Sequence, residues 1–187
     1  MIDADKLRAQ IVEIASGFVG ACGCPPYRDF MTQALGFPID WRPFRVIDGR
    51  VEGVSTCYIF ALNVLRLAGV DVHNWHVGEP ISTLIAWAQR NECWQPYEDG
   101  CVPDAGDVLI IGRAASPHVC VVKYCDGTTI WTNEAGQVCT RTNAGHDGTG
   151  RQAITERCRM WCGNGRVVGS RTDDVIGWVD AARVRLR

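Results

Sequence analysis

The sequence predicts a single α+β domain in which helices come first and an antiparallel β-sheet follows. The chain has 187 residues, a length that suits one domain. Up to Pro103 the apolar residues recur at helical spacing, whereas after Pro103 short apolar runs alternate with turn residues. With 47% apolar residues and a net charge of −2, the composition excludes intrinsic disorder as the main state.

Four helices are expected before Pro103, and their ends are set by capping and helix-breaking residues. They cover residues 5–18, 28–35, 58–68 and 81–89, with an irregular segment at 37–53. The third follows Ser55 and Thr56, either of which is a good N-cap, and ends before Gly69. Because this helix is apolar nearly all round, we expect it to be buried at the centre of the domain.

The second half of the chain is expected to form strands. These cover residues 107–111, 118–124, 128–132, 153–161, 166–168 and 175–179, with a Gly-rich loop at 140–150. Asp126-Gly127 is a strong signal for a two-residue hairpin turn, and Gly163-Asn164-Gly165 predicts a second turn.

The N-terminus has no basic start followed by an apolar run, as a secretory signal needs. The longest apolar stretch, residues 58–70, is too short to span a bilayer and contains Asn63 and Arg66. We therefore expect synthesis in a cytoplasm and no membrane insertion. Action in a periplasm or cell wall would then require delivery by lysis, on a phage particle or through an injection apparatus.

Charge is uneven along the chain. Residues 1–140 carry a net charge of −6, and residues 141–187 carry +4. The basic end could attract an anionic polymer, or it could be a solvated arginine-rich surface. No nucleic-acid-binding motif accompanies the arginines, so we expect no nucleic-acid partner.

The ten cysteines lack the spacing of a metal site. Cys22-x-Cys24 and Cys158-x-x-x-Cys162 lie far apart, whereas a zinc site needs ligand pairs at set spacing. We therefore expect no metal and no cofactor, and most cysteines to be small buried apolar residues. A Cys158–Cys162 disulfide formed after release stays open as an alternative.

Cys57 is the cysteine placed for chemistry, because it opens the apolar third helix. The helix dipole and the N–H groups of the first turn favour a thiolate, and those N–H groups can also donate to an oxyanion. His118, at the start of a strand, is the candidate general base. The alternative is that Cys57 is a structural buried thiol and His118 a structural histidine.

A third group should orient the imidazole. With a two-residue turn at Asp126-Gly127, His118 shares a sheet face with Asn133, which makes Asn133 the first candidate. A register shifted by one residue, as a bulge produces, places Glu134 there instead. Gln137 is the third candidate.

Four segments resemble the NlpC-type and CHAP-type papain-like cysteine hydrolases. Residues 53–69, GVSTCYIFALNVLRLAG, resemble the family's nucleophile helix. PDAGDVLIIG at 103–112 and PHVCVV at 117–122 resemble two of its strands, the second of which carries the base. WTNE at 131–134 falls where the polar third residue is found. The order and spacing of the segments also agree with the family.

The resemblance implies a papain-like α+β core with N-terminal helices and a central nucleophile helix packed on an antiparallel β-sheet. Residues 141–187 would be a basic, strand-rich extension of the same domain. The chain has TCYI at 56–59 where NlpC-type enzymes have DCSG. Tyr58, and Tyr27 as a counterpart of a tyrosine found before the family's cysteine, are the candidate substrate-binding residues.

The function implied by the resemblance is a thiol hydrolase that cleaves an amide bond in a bacterial peptidoglycan peptide, as an endopeptidase or amidase. Such an enzyme could be phage-borne or delivered by a secretion system, with a phage particle or an immunity-type inhibitor as partner. The alternatives are a non-catalytic phage tail or assembly protein of the same fold, and a Cys-His acyltransferase or deamidase.

Overall fold

A computed structural model describes residues 3–22, 27–36, 44–47, 50–53, 56–72, 81–113, 116–138 and 152–186. The helices are α1 (Ala4–Gly17), α2 (Arg28–Leu35), α3 (Thr56–Leu67) and α4 (Ile81–Arg90). The strands are β1 (Phe44–Ile47), β2 (Arg50–Gly53), β3 (Trp94–Pro96), β4 (Val108–Arg113), β5 (Ser116–Cys125), β6 (Thr129–Val138), β7 (Gln152–Cys162), β8 (Arg166–Val168) and β9 (Thr172–Val179).

The helices and the strands from β4 onward lie close to where the sequence predicts them. The β1–β2 hairpin falls in the segment expected to be irregular, and β3 was not predicted. Ser55 and the Gly-rich loop at 140–150 lie outside the described residues.

Six antiparallel strands close into a barrel. Their order is β9-β4-β5-β6-β7-β8, the pairing of β8 with β9 completes the circle, and β3 adds to the side of β9. The prediction of a papain-like α+β core, with a central helix packed on a sheet, is therefore wrong. Closure depends on β9, which pairs with β8 at its start and with β4 further along. Strands β4 and β9 are distant in sequence, and pairing between such strands leaves no trace in local periodicity.

The two faces of the barrel wall carry two apolar cores. The interior core consists of Leu109, Ile111, Cys120, Val122, Ile130, Trp161, Val167, Val175 and Trp178. The outer face of β4–β7 and β9 contributes Val108, Ile110, Val119, Val121, Ala135, Ile154 and Val179 to a core shared with all four helices. In β4 and β5 the inward and outward residues alternate, which is the period-2 pattern of a strand covered on both faces.

Helix α3 is the most deeply buried helix of the described structure, with every residue from Thr56 to Leu65 buried. It packs against β5 and β6 on the outer face of the barrel and against α1 and α2. We call the end of the barrel where β5, β7 and β9 begin the top end. The first turn of α3 lies at the top end, because Cys57 lies against Gly136 near the end of β6.

An arginine on α1 holds that helix to the barrel. Arg8 Nη2 lies 3.0 Å from Asp180 Oδ1, 3.1 Å from Asp104 Oδ2 and 3.4 Å from Asp107 Oδ1. Asp107 is buried and accepts hydrogen bonds from the N–H groups of Asp104 and Ala181. Burial raises the pKa of Asp107 to about 6, even though these N–H groups and Arg8 oppose the shift. The contacts join α1 to the start of β4 and the end of β9.

The alternative disulfide is absent from the described structure, since Cys158 and Cys162 are both free thiols. Their strand, β7, holds Cys158 exposed and Cys162 half-buried at a turn. None of the helices described is long and apolar enough to cross a membrane.

Candidate active site

Cys57 occupies the first turn of α3 at the top end of the barrel, and its side chain is 4% exposed. The helix begins at Thr56, two residues before the predicted start at Tyr58. The N–H groups of a first helical turn have no acceptor within the helix, and the helix dipole places partial positive charge there. The sulfur of Cys57 therefore lies in a position that favours negative charge.

His118 connects Cys57 to the barrel wall. It lies near the start of β5, where it pairs with Ile111 of β4, and it shares a strand face with the interior residue Cys120. Its imidazole forms a hydrogen bond with the Cys57 side chain, and its Nε2 lies 2.6 Å from Glu134 Oε2. Since Nε2 is used by Glu134, Nδ1 is the ring nitrogen available to Cys57.

The register between β5 and β6 determines which residue reaches His118. The hairpin loop is longer than two residues, because Cys125 pairs with Ile130, and the register shifts between Val122 and Tyr124. Val121 consequently pairs with Asn133, and Glu134 takes the opposite, inward face.

Asn133, the first candidate for orienting His118, points away from it. Its Nδ2 donates to Ser16 Oγ of α1 at 2.9 Å. In this register Asn133 does not reach His118, and the bulge is the reason. Gln137 pairs with Ala153 in the β6–β7 ladder, and its side chain lies outside the described structure.

Glu134 is itself held by Arg159 of β7, which is not among the site residues predicted from the sequence. Nη1 of Arg159 donates to Glu134 Oε1 at 2.7 Å, and Nη2 donates to Oε2 at 2.9 Å. Thr132 Oγ donates to Oε1 at 2.8 Å. The exposed fraction of the Glu134 side chain is 0%. No local sequence motif marks Arg159. Its contact with Glu134 could be predicted only if the β6–β7 register were known.

The pKa values of this cluster are coupled. Burial lowers the pKa of His118, but the hydrogen bonds to Cys57 and Glu134 outweigh it and raise that pKa to about 9. Burial raises the pKa of Glu134, but His118 and Arg159 outweigh it and lower that pKa to about 2. At neutral pH the cluster thus holds an imidazolium beside the Cys57 sulfur and a carboxylate on its far side. An imidazolium neighbour lowers the pKa of a cysteine thiol.

A cavity of about 330 Å³ opens beside this cluster at the top end of the barrel. Its wall includes His118, Glu134, Gly136 and the arginines Arg157, Arg159 and Arg171. Cys57 is not part of the described cavity wall, but its neighbours His118 and Gly136 are. Its volume suits a small ligand or one part of a larger one.

The two candidate substrate-binding tyrosines lie elsewhere. Tyr58 is 1% exposed in the core around α3 and does not form part of the described cavity wall. The all-round burial of α3 explains this, because a residue next to the first turn has no solvent face. Tyr27 precedes α2 and packs on Cys22 and Ala153. It does not form part of the described cavity wall.

Gly136 is expected to tolerate no side chain without loss of stability. Its φ is +82°, and an added Cβ would lie 3.5 Å from Thr56 Oγ1 and 3.9 Å from Cys57 Cβ. These are ordinary contacts, so the penalty comes from the left-handed backbone. We expect Gly136→Ala to lower the free energy of unfolding by about 1–2 kcal/mol in urea denaturation.

Gly17 is the matched control for Gly136. It ends α1, and an added Cβ there meets nothing within 4 Å. Gly17→Ala should leave stability unchanged or raise it by a few tenths to about 1 kcal/mol. Equal losses in the two variants would contradict the role given to the backbone of Gly136.

No protein-family model matches the chain, and no curated protein is significantly similar to it. Within the described ranges, no three His, Cys, Asp or Glu side chains form a group that could hold a metal ion. The site is thus defined by its own geometry, as a buried Cys-His-Glu cluster with an arginine behind it.

Proposed function

We propose that this protein is a thiol hydrolase that cleaves an amide bond, with Cys57 as nucleophile, His118 as general acid and base, and Glu134 as the group that positions His118. The observation that carries the proposal is the hydrogen-bonded series Cys57–His118–Glu134, with 2.6 Å between His118 Nε2 and Glu134 Oε2. A nucleophile, a base in contact with it and an orienting group on the far side of the base are the parts of a catalytic triad.

Acylation begins from the thiolate–imidazolium pair. The sulfur of Cys57 attacks the substrate carbonyl carbon, and the carbonyl electrons move to the oxygen. The backbone N–H of Cys57, in the first turn of α3, is the proposed oxyanion donor. The oxyanion then reforms the carbonyl, the C–N bond breaks, and His118 gives its proton to the leaving amine. The products are a free amine and a thioester on Cys57.

Deacylation restores the enzyme. Neutral His118 accepts a proton from water, and the oxygen of that water attacks the thioester carbonyl. When the tetrahedral intermediate collapses, the C–S bond breaks, which releases a carboxylic acid and returns the thiolate–imidazolium pair. Glu134 stays ionised throughout and stabilises the imidazolium, because Arg159 and Thr132 hold the carboxylate in place.

For the substrate, we propose a peptide of bacterial peptidoglycan. This part rests on the resemblance of the segments around Cys57 and His118 to cell-wall peptidases and amidases. Product analysis separates hydrolysis from acyl transfer, since hydrolysis yields a new carboxylate and transfer yields an acylated acceptor.

Selective alkylation tests the nucleophile without a substrate. We expect limiting iodoacetamide at pH 6 to modify Cys57 ahead of exposed Cys158, measured for each cysteine by peptide mass spectrometry. An ordinary thiol, with a pKa near 8.5, reacts slowly at that pH. Because Cys57 is buried and Cys158 is exposed, access alone would give the opposite order.

His118→Ala provides the control for this experiment. Loss of the imidazolium should raise the pKa of the Cys57 thiol and remove its advantage at pH 6. A Cys57 that stays unmodified while Cys158 reacts, or that keeps its advantage in His118→Ala, would contradict the proposed pair.

A further inference from the structure

Two arginines from different parts of the chain meet at the cavity beside the candidate triad. Arg157 lies on β7, two residues before Arg159, so the two side chains share the inward face. Arg171 lies in the turn between β8 and β9. Both residues are exposed, and they line the same cavity as His118.

The charge of the wall is positive. The described lining residues include three arginines but two carboxylates, Glu134 and Asp173. Both oxygens of Glu134 already accept hydrogen bonds from Arg159. Asp173 accepts from Arg171 Nε at 3.0 Å, and this bond leaves the terminal NH₂ groups of Arg171 for other acceptors. The two carboxylates of the wall thus neutralise part of its charge.

We propose that this cavity binds a carboxylate of the substrate through Arg157 and Arg171, so that the preferred substrate is an acidic peptide. The inference rests on the proposed function, because the cavity shares His118 and Glu134 with the candidate triad. A guanidinium binds a carboxylate through two parallel N–H donors, which fixes orientation as well as charge. The side-chain carboxylate of an acidic residue fits a cavity of about 330 Å³.

The test uses Cys57→Ala protein and two peptides of matched shape, acetyl-Ala-Glu-Ala-amide and acetyl-Ala-Gln-Ala-amide. Isothermal titration calorimetry should show the Glu peptide binding about tenfold more tightly than the Gln peptide at low salt. Added salt should reduce this preference. Because the protein has no nucleophile, the result does not depend on whether Cys57 is reactive.

Arginine variants assign the preference to the cavity. Arg157→Gln and Arg171→Gln should each reduce it, and the double variant should abolish it. Arg185→Gln removes the same charge from an exposed residue outside the cavity wall, and it should keep the preference. Thermal melts of each variant check that it is folded.

Three outcomes would overturn the inference: equal binding of the two peptides, binding of neither, or a preference that survives in the double variant. A surviving preference would assign the carboxylate to His118 instead of the arginines. The alkylation experiment fails independently of this one. An unreactive Cys57 would contradict the proposed hydrolase activity. Equal binding of the Glu and Gln peptides would contradict only the proposal of an acidic substrate.

Discussion

Cys57→Ala is expected to reduce turnover by a factor of about 10⁴ or more, because the variant has no sulfur to form the thioester. The measurement is release of primary amine from a peptidoglycan digest, followed by mass analysis of the fragments. Stability should change by no more than about 1 kcal/mol, since the substitution removes only the Sγ atom.

Cys93→Ala is the matched control for Cys57→Ala. Cys93 is also buried, but its Sγ donates to the carbonyl oxygen of Ala88 at 3.6 Å. Burial raises the pKa of the Cys93 thiol to about 11, so it is not a nucleophile near neutral pH. Cys93→Ala should keep full activity, and turnover that persists in Cys57→Ala would exclude Cys57 as the nucleophile.

Glu134→Gln is expected to lower the free energy of unfolding by about 3–5 kcal/mol, because it leaves the partly buried guanidinium of Arg159 without its counter-ion. The side chain of Arg159 is 13% exposed, and that of Glu134 is 0% exposed. Urea denaturation measures the loss, and the dependence of the free energy of unfolding on urea concentration should equal that of wild type. A second variant, Glu134→Gln with Arg159→Met, should recover part of the stability, because the unpaired charge is then removed.

Glu156→Gln is the control for this loss. Glu156 lies on β7 and pairs with Lys123, but both side chains are substantially exposed, so the change should be about 0–1 kcal/mol. A loss in Glu134→Gln no larger than in Glu156→Gln would contradict the buried pair.

Glu134→Gln should also alter the pH profile of Cys57 alkylation, which separates a positioning role from a structural one. Glu134 contributes to the raised pKa of His118, so without it the imidazolium should deprotonate at lower pH. The upper pH limit of the range in which an imidazolium activates Cys57 should then fall. Iodoacetamide rates measured from pH 5 to pH 10 in both proteins give the two profiles.

The same cluster predicts how stability depends on pH. The pKa of Glu134 is lowered from 4.5 to about 2, so its contribution is full above pH 4.5 and is lost as pH falls toward 2. The pKa of His118 is raised from 6.5 to about 9, so its contribution is full below pH 6.5 and is lost as pH rises through 9.

The sequence by itself determined where the four described helices and the strands from β4 onward lie, and which cysteine opens a helix. Helical spacing and N-caps placed α1, α2, α3 and α4 within a few residues, and alternation placed the strands from β4 onward. These are local properties, because each depends on residues a few positions apart. The positions of Cys57 and His118 as candidate nucleophile and base follow from the same local patterns.

The tertiary structure alone decided the rest. Closure of the barrel through β8 and β9, the bulge that turns Glu134 inward instead of Asn133, and the approach of Arg159 all depend on the register between strands. A shift of one residue reverses every side chain of a strand, and neither register appears in the alternation of that strand alone. The burial of Tyr58 likewise depends on what surrounds α3, which only packing sets.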